Sequence, residues 1–107
     1  MENDPIISRR LSPEQIEGVK RFCAKYGVAE FALFGSILRE DFRPDSDVDV
    51  SLRFKPGHGI DFDNRPDVID DLRAIFGREI DIVEPRLLSN PFRRREILST
   101  MRVLHAA

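Results

Sequence analysis

Hydrophobic residues recur along the chain with two spacings, and glycines mark the points where one spacing replaces the other. Intervals of three and four residues follow a capping box at residues 12–15, so they predict a helix that Gly27 ends. The uninterrupted apolar run 28–34 predicts a buried strand that stops at Gly35. The later patterns predict strands over 47–54 and 79–84 and helices over 66–76 and 92–104.

Helices that alternate with strands indicate the α/β class, here a domain built on a small mixed sheet. A chain of 107 residues, 41% of them hydrophobic, can bury one core but not two. We therefore expect a single domain over residues 1–107, with 1–10 as a flexible N-terminal segment. Cys23 is the one cysteine and falls on the apolar face of the first helix, so we expect a core residue rather than a nucleophile.

The chain carries 17 Lys and Arg residues against 19 Asp and Glu residues, a balance that gives no argument for stable binding to nucleic acid. No apolar stretch approaches the roughly twenty residues of a membrane span, and the N-terminus has no basic region followed by an apolar one. We therefore expect a cytoplasmic protein with no membrane partner. The arginines at 93–95 would fan out around a helix, which favours a solvated face, although one or two could steer an acidic partner or a nucleotide tail.

The end of the first predicted strand and the start of the second carry residues suited to phosphate and metal. Gly35 has no Cβ, so phosphate oxygens can approach the backbone, and Ser36 can cap a short helix whose first N–H groups face an anion. The strand over 47–54 alternates with period two, so Asp47 and Asp49 point to the same side. Two carboxylates this close can share one hard cation, which offsets their repulsion.

A third acid lies in the strand predicted over 79–84. Asp81 is surrounded in sequence by Ile80, Ile82 and Val83, and a carboxylate in such a segment is either paired or a ligand. A third carboxylate is the usual completion of a site that holds two metal ions. The residues by themselves therefore indicate a site for divalent cations and a triphosphate.

The stretch 34–50 resembles the signature of the minimal nucleotidyltransferases, small members of the DNA polymerase β-like superfamily, and the resemblance extends from about residue 12 to the end. It implies the polymerase β-like nucleotidyltransferase fold, in which helices pack on one side of a mixed sheet. It also implies ATP as the nucleotide donor and Mg²⁺, as two ions, as the metal. The site residues that it implies are Asp47, Asp49 and Asp81 for catalysis and metal binding, and Gly35, Ser36, Arg39 and Ser46 for binding the nucleotide phosphates. For Arg39 an ion pair with Asp45 or Asp47 stays open as an alternative.

One position departs from that signature. Catalytic relatives commonly have a glycine after the arginine that Arg39 matches, whereas this chain has Glu40. If the backbone there requires a positive φ, a glutamate would be strained, and its charge would oppose the phosphates of the donor. The resemblance therefore leaves reduced or altered activity open.

The resemblance also implies a biological role. Small proteins of this kind are commonly partners of HEPN-domain ribonucleases in toxin–antitoxin pairs, and some transfer AMP onto a tyrosine of the toxin. We therefore expect Mg²⁺-dependent transfer of AMP from ATP onto a hydroxyl of a HEPN toxin, within a hetero-oligomer. Two alternatives stay open: a module that neutralises its partner by binding or masking without catalysis, and nucleotidyl transfer to a small molecule.

Overall fold

Four strands and four α-helices are present in residues 4–40 and 42–106, which are the part of the chain that the computed structural model describes. Two short 3-10 helices lie at Gly35–Leu38 and Pro85–Leu87. The α-helices are α1 (Pro5–Arg10), α2 (Pro13–Tyr26), α3 (Arg65–Phe76) and α4 (Pro91–Thr100), and the strands are β1 (Val28–Phe34), β2 (Val48–Phe54), β3 (Ile80–Val83) and β4 (Arg102–Ala106).

The strands form one mixed sheet in the order β3-β2-β1-β4. The central strand β1 runs antiparallel to both of its neighbours, β2 and β4. Strands β2 and β3 are parallel, and α3 provides the crossover that a parallel pair requires. The mixed sheet of the α/β class is therefore confirmed.

One face of the sheet carries the main hydrophobic core. Helices α2 and α3 pack there, and the ring of Phe31 on β1 contacts both of them. Its ring centroid lies 5.8 Å from that of Phe22 on α2 and 6.3 Å from that of Phe76 on α3. On β2 the side chains that alternate toward this core are Val48, Val50, Leu52 and Phe54.

Helix α2 begins and ends where the sequence predicts. The Ser12 hydroxyl accepts a hydrogen bond from the Gln15 N–H at 3.1 Å, and the Gln15 side chain accepts one from the Ser12 N–H at 2.8 Å. This reciprocal pair satisfies two N–H groups that a helix start leaves free. At the other end Gly27 has φ 69°, the left-handed conformation that favours glycine. None of the helices described is long and apolar enough to cross a membrane.

The N-terminal segment differs from the expectation of a flexible stretch over residues 1–10. Residues 1–3 lie outside the described part of the chain, but the following residues form α1. The Asp4 side chain caps this helix by accepting a hydrogen bond from the Ile6 N–H at 2.9 Å, and Pro5 occupies the first helical position. Ile7 is buried in the core, which anchors the segment.

The C-terminal segment corrects a second prediction. The helix expected over 92–104 ends at Thr100, and the chain becomes extended at Met101 before it forms β4. In β4, Val103 and His105 lie opposite residues of β1. A buried central strand needs hydrogen-bonding partners along both of its edges, and β4 supplies the second one.

Candidate active site

The acids predicted from the sequence lie at the ends of β2 and β3 that face the same way along the sheet. Asp49 and Asp81 are direct register partners in the parallel pair, so their side chains emerge on the same face. Val48 and Val50 point to the core on the opposite face. Asp47 precedes β2 by one residue, two positions before Asp49.

Asp49 experiences the charges of both other acids. Burial raises the pKa of this partly buried carboxyl, and the charges of Asp81 and Asp47 raise it further. A hydrogen bond from the Ser36 backbone N–H and the charge of Arg39 act in the opposite direction on the same pKa. The three carboxylates therefore repel one another across this end of the sheet, and a cation there would relieve the repulsion.

The acids do not form a closed metal cage. Within residues 4–40 and 42–106, no group of three or more acidic, histidine or cysteine side chains could hold a metal ion. Mg²⁺ usually binds through one or two carboxylates and completes its coordination with water and substrate phosphates. The donor set of Asp47 and Asp49 fits that pattern, with Asp81 beside it.

The turn after β1 packs directly against Asp49. Gly35 has φ 74°, and a Cβ added at this position would lie 2.1 Å from the Asp49 Oδ2 atom. A larger residue would therefore meet both a strained backbone and a carboxylate. The turn can approach the Asp49 carboxylate this closely because residue 35 has no side chain.

Ser36 does not cap a helix as predicted. The 3-10 helix Gly35–Leu38 begins one residue earlier, and the residue at its N-cap position, Phe34, makes no side-chain capping bond. The Ser36 hydroxyl instead donates to the Asp47 carbonyl oxygen at 3.3 Å, while its N–H donates to the Asp49 carboxylate. Ser36 thus connects the turn to both Asp47 and Asp49.

The segment that leads to Asp47 is fixed through the ring of Phe42. The Arg78 guanidinium lies 4.2 Å from the ring centroid and the Arg10 guanidinium 5.5 Å from it. Arg78 also donates to the carbonyl oxygens of Arg43 at 2.5 Å and Ser46 at 3.2 Å. Since Arg78 lies in the turn that enters β3, it connects the segments that carry Asp47 and Asp81. No local sequence pattern indicates these contacts.

A cavity of about 460 Å³ opens beside the Gly35 turn. The residues that line it on the side of the turn and β2 are Gly35, Ser36, Arg39 and Asp49. Its opposite wall consists of Arg93, Glu96, Ile97 and Thr100 from α4 and Arg102 from β4. The sequence placed the first group together but not the second, because the register of β4 against β1 was not predicted.

Ser46 was predicted to bind phosphate, and the structure gives its hydroxyl a local role. The hydroxyl accepts a hydrogen bond from the Arg43 N–H at 3.1 Å, within its own turn. It lines a second cavity, with Asp45, Asp47 and Arg78, and is not among the residues around the cavity at Gly35. Phosphate binding by Ser46 stays a prediction.

Glu40 raised the question of backbone strain. No residue other than glycine has a positive φ in the described part of the chain, so glutamate is not strained at this position. Glu40 is exposed and does not line the cavity at Gly35. Steric strain at Glu40 therefore does not argue against nucleotide binding.

Known structures share this fold. The structure of a candidate minimal nucleotidyltransferase matches with a TM-score of 0.69 at 26% identity, over 95% of this chain and 98% of that one. A toxin–antitoxin crystallised with AMP-PNP matches with a TM-score of 0.67 at 16% identity, over 86% and 73% of the two chains. The MntA–HepT toxin–antitoxin matches with a TM-score of 0.61 at 15% identity, over 87% and 71%. At these last two identities the likeness concerns the fold alone.

The sequence itself also has relatives. A candidate protein adenylyltransferase of Methanocaldococcus jannaschii is 30% identical over 73 residues, which cover 68% of this chain and 73% of that protein. The family model of the nucleotidyltransferase domain matches residues 16–104. That range includes the Gly35 turn and all three acids. The chain therefore belongs to the nucleotidyltransferase domain family.

Proposed function

We propose that this nucleotidyltransferase moves AMP from ATP onto a protein hydroxyl in a Mg²⁺-dependent reaction, with a tyrosine of a HEPN ribonuclease toxin as the acceptor and the chain acting as the antitoxin. The relative named as an adenylyltransferase supports AMP as the transferred group. The shared fold with the MntA–HepT toxin–antitoxin supports the choice of partner.

The observation that carries the proposal is the placement of Asp49. It lies opposite Asp81 in the register of β2 and β3, and its carboxylate packs against Gly35 at the entrance of a cavity. This arrangement brings two acids, a glycine turn with free space beside it, and backbone N–H groups into one place. Those are the parts that transfer of a nucleotidyl group from a triphosphate requires.

Asp47 and Asp49 are the residues that would hold Mg²⁺, because carboxylate oxygens are its preferred protein ligands. When bound, the metal supplies positive charge at the triphosphate and at the attacking oxygen. Gly35 lets the phosphates approach the backbone. The Ser36 N–H donates to the Asp49 carboxylate, and in the proposed complex it would donate to a phosphate oxygen instead.

The reaction needs one proton transfer and one displacement. The acceptor oxygen bonds to the α-phosphorus while the bond between that phosphorus and the oxygen that bridges to the β-phosphate breaks, and the electron pair leaves with pyrophosphate. Asp81 is exposed on the edge strand β3, where an acceptor from another molecule can reach it. We assign to it the hydroxyl proton.

Apolar surface close to the cavity supports a protein as the partner. Phe92 and Leu98 are exposed by 80% and 48%, and both lie on α4, the helix that supplies one wall of the cavity. Large apolar side chains exposed in one region are typical of surfaces that contact another protein. The acceptor would therefore approach from the side of α4.

The test compares Asp49→Asn with Asp45→Asn, an exposed acid of the preceding turn that does not line the cavity at Gly35. Each variant is co-expressed with a HEPN toxin, and the intact mass of the toxin is measured. We expect one AMP added per modified tyrosine with the wild-type chain and with Asp45→Asn, and none with Asp49→Asn. Chelation of divalent cations in a purified reaction should also abolish the addition.

Other outcomes would select the alternatives. An Asp49→Asn chain that neutralises an unmodified toxin completely would indicate a masking module and refute the enzymatic proposal. Labelled AMP that appears on a small acceptor, in the absence of any protein partner, would instead indicate transfer to a small molecule.

A further inference from the structure

The wall of the cavity opposite the Gly35 turn is basic. Arg93 on α4 and Arg102 on β4 line it, and Arg39 lines the nearer side. Two carboxylates, those of Asp49 and Glu96, line the same cavity. The lining of the cavity thus holds three guanidinium groups and two carboxylates.

Arg93 occupies a position that is unfavourable for a cation. It lies in the first turn of α4, which contains no acidic residue, and the positive end of the helix dipole repels positive side chains there. In the described part of the chain its guanidinium has no hydrogen bond or ion pair. By contrast, the next residue, Arg94, donates to the Leu88 carbonyl oxygen at 2.7 Å and so holds the preceding turn.

The position of Arg102 is restricted by an ion pair with the N-terminal segment. Its guanidinium lies 3.6 Å from the carboxylate of Asp4, the residue that caps α1. Because the side chain of Arg102 is still 49% exposed, it keeps donors for a ligand while the ion pair restricts its position. Arg102 lies in β4, which pairs with β1, the strand that ends at the Gly35 turn. Residues of α4 and β4 that are distant from Gly35 in sequence therefore line the same cavity as Gly35.

We propose that Arg93 and Arg102 form the second half of the triphosphate site and contact the phosphates from the α4–β4 wall, opposite the Gly35 turn. The inference rests on the proposed function, since it takes a nucleoside triphosphate as the ligand. Guanidinium groups bind phosphate oxygens through paired, charge-assisted hydrogen bonds. They also offset the repulsion between the triphosphate and the acids on β2 and β3, which the turn alone cannot do. A phosphate near Arg93 removes the disadvantage of a cation in the first turn of α4.

The test uses Arg93→Ala with Arg95→Ala as the matched control. Both residues are exposed arginines near the start of α4, but Arg95 does not line the cavity. Affinity for ATP with Mg²⁺ is measured by calorimetry, and inorganic tripolyphosphate is measured as a competitor. Since a charge-assisted hydrogen bond contributes about 1.5–3 kcal/mol, we expect Arg93→Ala to weaken both ligands by about tenfold or more. Arg95→Ala should change neither by more than about twofold.

Thermal stability distinguishes ligand binding from folding. Without nucleotide, Arg93→Ala should melt no lower than the wild type, because it removes a cation from the first turn of α4. For Arg102 the pair is Arg102→Gln and Asp4→Asn, since asparagine keeps the cap of α1 but removes the partner charge. We expect Arg102→Gln to lose ATP affinity and Asp4→Asn to retain most of it.

Three results would overturn the inference. If the wild-type chain binds ATP and Arg93→Ala binds it as tightly as Arg95→Ala does, the phosphates do not reach α4, although the proposed function stands. If Arg93→Ala weakens ATP but not tripolyphosphate, the arginine contacts the nucleoside and our assignment is wrong. If the wild-type chain binds no ATP at all, the proposed function fails and this inference fails with it.

Discussion

Gly35→Ala tests whether the turn positions the carboxylate of Asp49, and Gly57→Ala supplies a matched control. Both glycines have positive φ, 74° at Gly35 and 81° at Gly57. A Cβ at Gly57 would have no atom within 4 Å, whereas a Cβ at Gly35 would lie 2.1 Å from the Asp49 Oδ2 atom and 3.0 Å from its Cγ atom. The two variants thus share the backbone strain and differ in the contact with Asp49.

Both variants place an alanine where the backbone has a positive φ. An L-residue in the left-handed region costs about 1–2 kcal/mol, and each kcal/mol lowers the melting temperature of a domain of this size by about 4–8 °C. Both variants should therefore melt lower than the wild type by similar amounts. The contact at residue 35 adds a different effect, because the far end of the Asp49 side chain can rotate away and the Ser36 N–H bond to it is lost. A displacement of about 1 Å at a reacting group reduces turnover by about a hundredfold.

The assay measures the melting temperature by circular dichroism and the rate of AMP transfer from ATP for the same preparations. We expect Gly57→Ala to retain the wild-type rate within about threefold, whereas Gly35→Ala loses about a hundredfold or more. Equal rates in the two variants would refute the reasoning, since they would show that Asp49 does not depend on the space that Gly35 leaves. If Gly35→Ala melts far below Gly57→Ala, the substitution instead destabilises the fold, and the loss of activity does not report on the position of Asp49.

Three further predictions concern stability and reactivity. Hydrogen bonds from Lys25 and Tyr26 lower the pKa of Asp71, so Asp71→Asn should reduce the free energy of unfolding at pH 7 by less than about 1 kcal/mol. The difference in free energy of unfolding between the two proteins should vanish as the pH falls through the lowered pKa, and a difference that persists in acid would contradict this. Leu72→Ala should lower the free energy of unfolding by about 2–5 kcal/mol in a denaturant titration, because Leu72 is fully buried between helix and sheet. Burial raises the pKa of the Cys23 thiol to about 12, so a thiol reagent at pH 8 should modify it only after the protein is unfolded.

Elements with local signals were predicted from the sequence with their bounds nearly correct. Helix α2 has a capping box and a C-terminal glycine. Strand β1 is a continuous apolar run and β2 alternates apolar and polar residues, so both can be recognised without knowing which strands they pair with. Strand β4 was wrongly predicted as the end of a helix because its pattern is short and its extended conformation depends on pairing with β1. Helix α1 was missed although Asp4 and Pro5 form a capping sequence, because six residues give little periodicity.

The site was predictable to the same extent. The period of two predicted a common direction for Asp47 and Asp49, but the alignment of Asp81 with Asp49 depends on the register between two strands that are joined by a helix. The wall formed by Arg93 and Arg102 depends on β4 and was not predicted. The spacing of residues within one helix or strand can be read directly from a single sequence, whereas the register between two strands is indicated only indirectly.

The contacts of Phe42 explain how the segment that carries Asp47 is held beside β3. Burial raises the pKa of Asp49, and the charges of Asp81 and Asp47 raise it further; this repulsion between the acids would push the segment that carries Asp47 away from β3. Arg78 opposes this movement with one cation–π contact to Phe42 and two hydrogen bonds to backbone carbonyl oxygens of the same segment. A cation–π contact contributes about 0.5–2 kcal/mol and a hydrogen bond about 0.5–1.5 kcal/mol, which is comparable to the repulsion between partly solvated charges. The carboxylates are therefore kept near one another by a positively charged side chain that does not itself line the cavity at Gly35.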